Sequence, residues 1–220
     1  YFHTDAAQSV GKIPVNVNEL GVDLLSIAGH KFYAPKGVGA LYIREGVKLE
    51  PLIHGANHET GKRAGTENVA GIVGLGKASQ IASENMDEYN KRISYLRDLL
   101  HEKLKSIAKV KLNGSTDERL PNTLNLSFEE VDSADLLSKL KNIALSTGSA
   151  CHDNVKEPST VLTEMNVPKK LALGAVRFSL GKFNTEEEIN YVVKEIKKII
   201  GKNQKNSVLY HTLKCVVCLE

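Results

Sequence analysis

Hydrophobic residues in the first part of the chain fall in short runs. Residues 1–4, 22–28 and 39–43 are apolar segments separated by polar and glycine-rich turns, and this pattern predicts three strands. An Ala/Gly/Ile-rich stretch over residues 69–83 predicts a helix after them. Strands followed by a helix are typical of an α/β domain, which we place at residues 1–85.

A longer helical pattern follows. Apolar side chains recur at steps of three and four along one stripe, formed by Met86, Tyr89, Ile93, Leu96, Leu100, Leu104 and Ile107. Because the stripe is long and charged residues fill the positions between its members, we predict a helix over residues 86–109 that connects two domains.

Alternation with a period of two returns in the second half. It is carried by Leu124, Leu126 and Phe128 and again by Val176, Phe178 and Leu180. Each set predicts a half-buried strand, and the second strand has Arg177 and Ser179 on its polar face. Residues 143–146 predict a further short strand.

Helix starts in the same region are marked by local residues. Ser133 is the predicted N-cap of one helix, and Pro158 is the predicted first residue of the next. Thr185 and Glu188 have the spacing of a capping box at the start of the last strong helix. With the strands, these helices predict a small α+β domain over residues 110–201.

The two ends of the chain differ from the rest. The chain starts at Tyr1 within a predicted strand, so we expect further residues upstream. Residues 202–220 are polar and end in Cys215 and Cys218. A metal half-site or a redox pair is one interpretation. A solvated terminus is favoured, because no second Cys/His pair stands nearby to complete a zinc site.

Composition narrows the classes of function. Of 220 residues, 41% are hydrophobic and 25% charged, which is enough apolar material for a core. The net charge of +3 comes from basic residues spread along the chain, so we expect no nucleic-acid partner. No apolar run is long enough for a membrane span. Three cysteines do not make a disulfide framework, and we expect a reducing compartment, cytoplasmic by default or mitochondrial.

Lys31 is the first candidate for chemistry. The apolar run 22–28 leads to His30 and Lys31, and a Gly/Pro-rich turn follows. A strand that delivers a lysine to a loop can place a reactive amine at a pocket wall, where it can anchor the aldehyde of pyridoxal phosphate.

Other residues can serve the same cofactor. Asp5, at the end of a predicted strand, can pair with the ring nitrogen, and Gln8, one helical turn away, can donate to the ring oxygen. His30 and Thr66 are candidate phosphate contacts. Taken singly, each residue has a plain structural explanation, such as a turn aspartate or a solvated lysine, and it is their joint occurrence that favours a site.

Cys151 and Arg177 are candidates in the second half. Cys151 lies in a small, polar segment over residues 148–154, where a thiol can ionise and reach a substrate. Arg177 can hold an amino-acid carboxylate through two hydrogen bonds. The alternatives are an incidental loop thiol and an arginine held in a structural ion pair.

Five segments of the chain, in order, resemble the NifS-like cysteine desulfurases, which are related to selenocysteine lyase. They are residues 3–12, 29–33, 63–68, 148–151 and 176–181. The resemblance extends over about residues 1–201 and corresponds to the C-terminal half or more of such an enzyme. It implies part of the large domain of a fold-type I pyridoxal phosphate-dependent transferase, followed by a small α+β domain. No resemblance covers residues 202–220.

The resemblance also implies roles. Lys31 matches the lysine that bonds to the cofactor and moves protons, and Cys151 matches the nucleophile that receives sulfur from L-cysteine as a persulfide, leaving L-alanine. Asp5, Gln8 and His30 match contacts of the ring and phosphate, and Arg177 the binder of the substrate carboxylate. Thr66 matches a phosphate contact supplied by the neighbouring subunit, which implies a homodimer. A sulfur-acceptor or scaffold protein is an implied partner, for iron–sulfur cluster or thio-cofactor supply, and no metal is implied.

Departures from the family pattern leave alternatives open. Ala28 stands where many desulfurases have a phosphate-binding serine, and Ser26 lies on the same face of the strand one pleat away. His152 is a feature shared with selenocysteine lyases, so L-selenocysteine is an alternative substrate. A truncated, inactive chain that acts only through binding is another alternative. An aminotransferase or a kynureninase is disfavoured by Cys151, because those reactions need no thiol.

Overall fold

The computed structural model of the chain describes residues 1–147, 151–152 and 155–216, with the backbone alone for 151–152, 155–156 and 202–216. It divides into two compact units, Tyr1–Asn90 and Lys91–Glu220. Each unit has its own three-stranded sheet, and the architecture is mixed α/β.

The first unit contains strands β1 (His3–Asp5), β2 (Leu24–Ala28) and β3 (Gly39–Ile43). The sheet order is β1-β2-β3, with β1 parallel and β3 antiparallel to β2. The three strands predicted from the apolar runs are therefore confirmed, although β1 and β2 each begin two residues later than expected. Ala6, Val22 and Leu25, the last of them in β2, form one buried cluster.

Two helices follow in the chain. The short α1 (His58–Gly61) precedes α2 (Val69–Lys105). The two helices predicted over residues 69–83 and 86–109 are one continuous element, and the boundary between the units falls within it. The predicted stripe is confirmed along its second half, because Ile93, Leu96, Leu100 and Leu104 are all buried.

The second unit has an antiparallel sheet of order β4-β5-β8, made of β4 (Val110–Leu112), β5 (Thr123–Phe128) and β8 (Ala175–Ser179). A separate two-stranded pair consists of β6 (Cys151–His152) and β7 (Val155–Lys156). The helices are α3 (Ser133–Lys139), α4 (Thr160–Glu164), α5 (Lys169–Leu173) and α6 (Glu186–Val216).

The alternating strands behave as predicted. In β8, Val176 and Phe178 are buried, while Arg177 and Ser179 are exposed. Residues 143–146 are a different case, because they form only one bridge, between Ser146 and Arg177, instead of a strand. The bridge consists of two main-chain hydrogen bonds. The Ser146 N–H donates to the Arg177 carbonyl at 3.4 Å, and the Arg177 N–H donates to the Ser146 carbonyl at 2.8 Å.

Helix starts differ from prediction in two of three cases. The N-cap of α3 is Asp132, one residue before the predicted Ser133, since Asp132 Oδ1 accepts from the N–H groups of Ala134 and Asp135 at 2.9 and 3.1 Å. Ser133 is instead buried and donates to the Leu173 carbonyl at 2.8 Å. Pro158 lies before the N-cap of α4, Ser159, and so is not the first helical residue.

The capping box at the start of α6 is confirmed. The Glu188 N–H donates to Thr185 Oγ1 at 3.3 Å, and the Thr185 N–H donates to Glu188 Oε2 at 3.2 Å. The helix continues to Val216 and so includes residues 202–216 of the predicted tail. Cys218 lies outside the described residues.

Candidate functional site

The carboxyl ends of the two parallel strands define the candidate site in the first unit. Asp5 ends β1 and is in register with Ser26 of β2, and the following Ala6 N–H donates to the Ser26 carbonyl at 3.0 Å. Two residues beyond Ser26, β2 passes into the turn that carries Lys31. Because ligands of open α/β sheets bind beyond the carboxyl ends of parallel strands, Asp5 and Lys31 lie at the edge where a cofactor is expected.

Lys31 lies in a 3₁₀ turn, Gly29–Phe32. The turn is tied to the start of β3 by the Gly29 N–H, which donates to the Val38 carbonyl at 3.0 Å, and it ends at Tyr33 in a left-handed conformation with φ of 72°. Phe32 is buried, whereas His30 and Lys31 are exposed. The turn therefore uses Phe32 as its anchor and presents the imidazole and the amine to solvent.

Asp5 and Gln8 begin the segment after β1. Asp5 Oδ1 accepts from the Ala7 N–H at 2.9 Å, and this hydrogen bond fixes the orientation of the carboxylate. Gln8 is exposed, and its side-chain oxygen accepts from Lys12 Nζ at 3.2 Å. Both predicted ring contacts thus stand on the same short segment as the end of β1.

Lys12 is part of this arrangement, and sequence reasoning gave it no role. Burial, and secondarily the positive charge of Lys31, lower the pKa of Lys12 below its ordinary value. The available signal was the spacing of Gln8 and Lys12, which is one helical turn.

His3 is a second residue that the sequence did not single out. Its Nε2 lies 2.8 Å from Ser26 Oγ, across the β1–β2 pair. His3 and Asp5 share one face of β1 because they are two residues apart, and Ser26 is on the matching face of β2. The Ser26 hydroxyl thus has a hydrogen-bond partner in His3 on the neighbouring strand.

Thr66 lies in the exposed segment between α1 and α2. The neighbouring Gly65 N–H donates to His58 Nδ1 at 3.3 Å, and Arg63 Nη1 donates to the Ala64 carbonyl at 2.9 Å. These contacts hold the segment locally, and its contribution to a phosphate site stays a prediction.

Arg177 and Cys151 belong to the second unit. Arg177 is exposed in the middle of β8, and its main chain pairs with Ser146. Cys151 follows Ser146 by five residues, so its backbone lies within about 18 Å of Ser146 by chain length alone. Its backbone is paired in β6 with Lys156, whereas a loop was predicted. Residues 148–150 and 153–154 of that predicted loop lie outside the described residues.

Asp5, Gln8, His30 and Lys31 belong to the first unit, whereas Arg177 and Cys151 belong to the second. Comparison with known proteins relates both units to one family. The model of the aminotransferase class-V family matches residues 1–192.

The chain belongs to the class-V aminotransferase family.

Two similar proteins of this family are both described as cysteine desulfurases. The chain is 55% identical to the cysteine desulfurase IscS of Dictyoglomus turgidum over 205 residues, which are 92% of this chain and 52% of that protein. It is 48% identical to the cysteine desulfurase IscS of Methanosarcina thermophila, over 97% of this chain and 54% of that protein.

Solved structures agree with these matches. A NifS-like protein superposes with a TM-score of 0.82 at 41% identity, over 90% of this chain and 52% of the other. The NifS-like protein of Rickettsia africae gives 0.81 at 34% identity, over 91% of this chain and 53% of the other. The chain spans about half the length of the curated relatives it matches.

Enzymes of the class-V aminotransferase family depend on pyridoxal phosphate, and the residues at the sheet edge fit that group. Its aldehyde would need an exposed amine, and Lys31 is exposed; its ring nitrogen would need a carboxylate, and Asp5 has one whose Oδ1 accepts from the Ala7 N–H. A ring oxygen would need a donor, and Gln8 has an amide group for it.

Among the described residues no helix is long and apolar enough to cross a membrane.

Proposed function

We propose that the protein is a pyridoxal phosphate-dependent cysteine desulfurase, which converts L-cysteine to L-alanine and carries the sulfur as a persulfide on Cys151. The observation that carries the proposal is the placement of Asp5 and the Lys31 turn at one carboxyl edge of the parallel strands β1 and β2. In this proposal residues 1–85 belong to the large domain of a fold-type I transferase, residues 86–109 connect the domains, and residues 110–201 are its small C-terminal domain.

The residues of the first unit bind and activate. When bound, pyridoxal phosphate supplies an aldehyde that condenses with amines and a ring that accepts the electron pair left at the substrate Cα. Lys31 would anchor the group through its amine, take the proton that leaves the substrate Cα and return it before the product leaves. Asp5 keeps the ring nitrogen protonated, and His30 contributes to phosphate binding. Since Ala28 has no hydroxyl, phosphate binding depends on other donors.

The residues of the second unit bind the substrate and take its sulfur. Arg177 holds the substrate carboxylate through its guanidinium. The Cys151 thiolate attacks the substrate sulfur, a new S–S bond forms, and the bond between that sulfur and Cβ breaks. The electron pair of the broken bond stays on the carbon fragment, which takes up a proton and leaves as L-alanine. L-Cysteine and one thiol therefore give L-alanine and one persulfide.

The proposal includes partners. Thr66 contacts the phosphate of a neighbouring subunit in a homodimer, and the persulfide passes to a sulfur-acceptor or scaffold protein. The exposed position of Thr66, ahead of α2, supports its availability to a second copy.

The first test asks whether the amine at the sheet edge takes the cofactor. The chain is mixed with pyridoxal phosphate and reduced with borohydride, and the modified lysine is identified by mass spectrometry. Label on Lys31 is expected, and Lys31→Ala removes it. Lys36→Ala, a change of an exposed lysine on the following turn, is the matched control and keeps the label at Lys31.

Turnover is then measured with L-cysteine and with L-selenocysteine. L-Alanine formed from L-cysteine in stoichiometric excess over protein, in the presence of a thiol reductant, supports the proposal. A labelled protein that turns over L-selenocysteine alone would make it a selenocysteine lyase. Label spread over surface lysines, with none enriched at Lys31, would sink the proposal for this chain.

A further inference from the structure

The segment over residues 8–12 packs directly against the turn that carries Lys31. Gly11 has a φ of +76°, and a Cβ added to it would lie 2.8 Å from Phe32 Cβ. Phe32 is the buried anchor of the Lys31 turn. The absence of a side chain at Gly11 therefore lets the next residue, Lys12, lie beside the Lys31 turn.

Lys12 is held in this position by several contacts. Its main-chain oxygen accepts from Asn90 Nδ2 at 2.5 Å, which ties the segment to α2. Its ammonium donates to the main-chain oxygen of Gln8 at 2.9 Å and to Gln8 Oε1 at 3.2 Å. One lysine thus binds both oxygens of one glutamine, and its own position is set by α2.

The contact to Oε1 determines what Gln8 can offer to a ligand. A carboxamide carries one acceptor and one donor group on a single plane, and the acceptor side is engaged by Lys12. The Nε2 group is then the side left to face outward. A donor facing outward suits a ring oxygen that carries negative charge, whereas a flipped amide would repel it.

We propose that Lys12 is a positioning residue for Gln8, holding the carboxamide oxygen so that the amide N–H groups are presented to the ring oxygen of the bound cofactor. This inference rests on the proposed function, because it assigns the ligand of Gln8. Lys12 touches neither the substrate nor the reacting atoms in this role.

The surroundings of Lys12 disfavour its positive charge. Burial and the charge of Lys31 both lower the pKa of Lys12, so a charged Lys12 is disfavoured where it stands. Acceptance by two oxygens of Gln8 is the compensation that the structure shows.

The test uses the holoenzyme formed with pyridoxal phosphate and the variants Lys12→Met and Lys12→Gln, which remove the ammonium. Three quantities are measured: the dissociation constant of pyridoxal phosphate, the pH midpoint of the absorption change of the bound cofactor, and the melting temperature of the cofactor-free protein. A donor to the ring oxygen favours its ionised form, so losing the donor raises that midpoint.

We expect both Lys12 variants to raise the midpoint and to weaken cofactor binding by about 2- to 10-fold, the range for one hydrogen bond. Gln8→Leu should give the same direction of change, and Lys12→Met should add little to it in the double variant. Lys12→Arg, which keeps a donor, should restore most of the midpoint. Lys77→Met is the matched control, because Lys77 Nζ donates to Gln80 Oε1 at 2.9 Å in an equivalent pair on α2.

Two outcomes would overturn the inference. If Gln8→Leu shifts the midpoint while Lys12→Met and Lys12→Gln keep the wild-type midpoint and affinity, Lys12 does not position Gln8. If the Lys12 variants change only the melting temperature, its role is structural. A wild-type protein that takes up no pyridoxal phosphate at Lys31 would instead refute the proposed function, and the inference with it.

Discussion

The two units of the molecule differ in what their side chains do. In the second unit the alternate residues of the central strands, such as Leu124, Leu126 and Val176, have no exposed surface. In the first unit the third strand is exposed over Gly39–Leu41, and its Leu41 is 45% exposed. The polar groups at the strand ends of the first unit hold one another through hydrogen bonds. Burial therefore dominates one unit, and polar contacts around turns shape the candidate site of the other.

The largest expected effect separates the chemistry assigned to the two units. Cys151→Ser should abolish persulfide formation from L-cysteine, because the hydroxyl is a far weaker nucleophile than a thiolate. The same variant should keep the cofactor bond at Lys31 of the first unit. Both are read by mass spectrometry of the same sample.

Cys215→Ser is the matched control for that change, since it removes a thiol from the end of α6. It should leave persulfide formation at the wild-type level. Persulfide in the Cys151→Ser protein, or its loss in the Cys215→Ser protein, would show that Cys151 is not the cysteine that receives the sulfur.

The next effect compares the two cores. Leu126→Ala in β5, where Leu126 is fully buried, should lower the free energy of unfolding by about 2–5 kcal/mol. Leu25→Ala in β2 should cost less within that range, because the neighbours of Leu25 are partly buried and can relax into the space.

Denaturant unfolding followed by circular dichroism measures both changes. Val161→Ala, at a position 64% exposed in the second unit, is the control and should alter the free energy of unfolding by no more than about 0.5 kcal/mol. An equal or larger loss for Leu25→Ala would mean that the first unit is as tightly packed as the second.

A smaller effect is expected at the start of α3. Asp132→Ala removes the acceptor of two N–H groups and should cost about 0.5–2 kcal/mol of unfolding free energy. Asp132→Asn keeps an oxygen at the same place and should restore most of that loss. If Ser133 were the cap, Ser133→Ala would give the pattern predicted here for Asp132, and Asp132→Ala would be silent.

The smallest effect is a pH dependence. Burial, and secondarily the charge of Lys105, lower the pKa of His101 below its ordinary 6.5. The unfolded chain therefore takes up a proton at a higher pH than the folded protein does, and stability falls as the pH drops through about 6.5. The loss levels off once the pH is below the folded pKa.

His101→Gln should remove that component, so that its melting temperature changes less than that of the wild type between pH 7.5 and pH 5.5. Parallel melting curves for the two proteins across this interval would show that His101 titrates alike in both states. His58→Gln, in the first unit, serves as the reference substitution.

Structural features that depend on residues close together in the chain could be predicted from the sequence. The alternation in β5 and β8 follows directly from the period of the strand, and the Thr185–Glu188 box from a spacing of three. The N-cap of α3 was misplaced because Asp132 and Ser133 are both good caps, and only the burial of Ser133 against the Leu173 carbonyl decides between them.

Contacts between distant segments were beyond sequence reasoning. Arg97 breaks the apolar stripe of α2 and yet is buried, because its guanidinium donates to the carbonyls of Leu120 and Pro121. The pairing of His3 with Ser26 depends on the parallel register of two strands. At the candidate site, residue types indicated Asp5 and Lys31, but the role of Lys12 needed the geometry of the turn.

Gly11 has a consequence for how the gene tolerates variation. In a library carrying every substitution, position 11 should be depleted of all side chains on two independent grounds, its positive φ and the closeness of Phe32. Gly21 also has a positive φ, +63°, but has open space around it, so asparagine should survive there. A selection that accepts asparagine at position 21 and rejects alanine at position 11 would thus report the contact between Gly11 and the Lys31 turn.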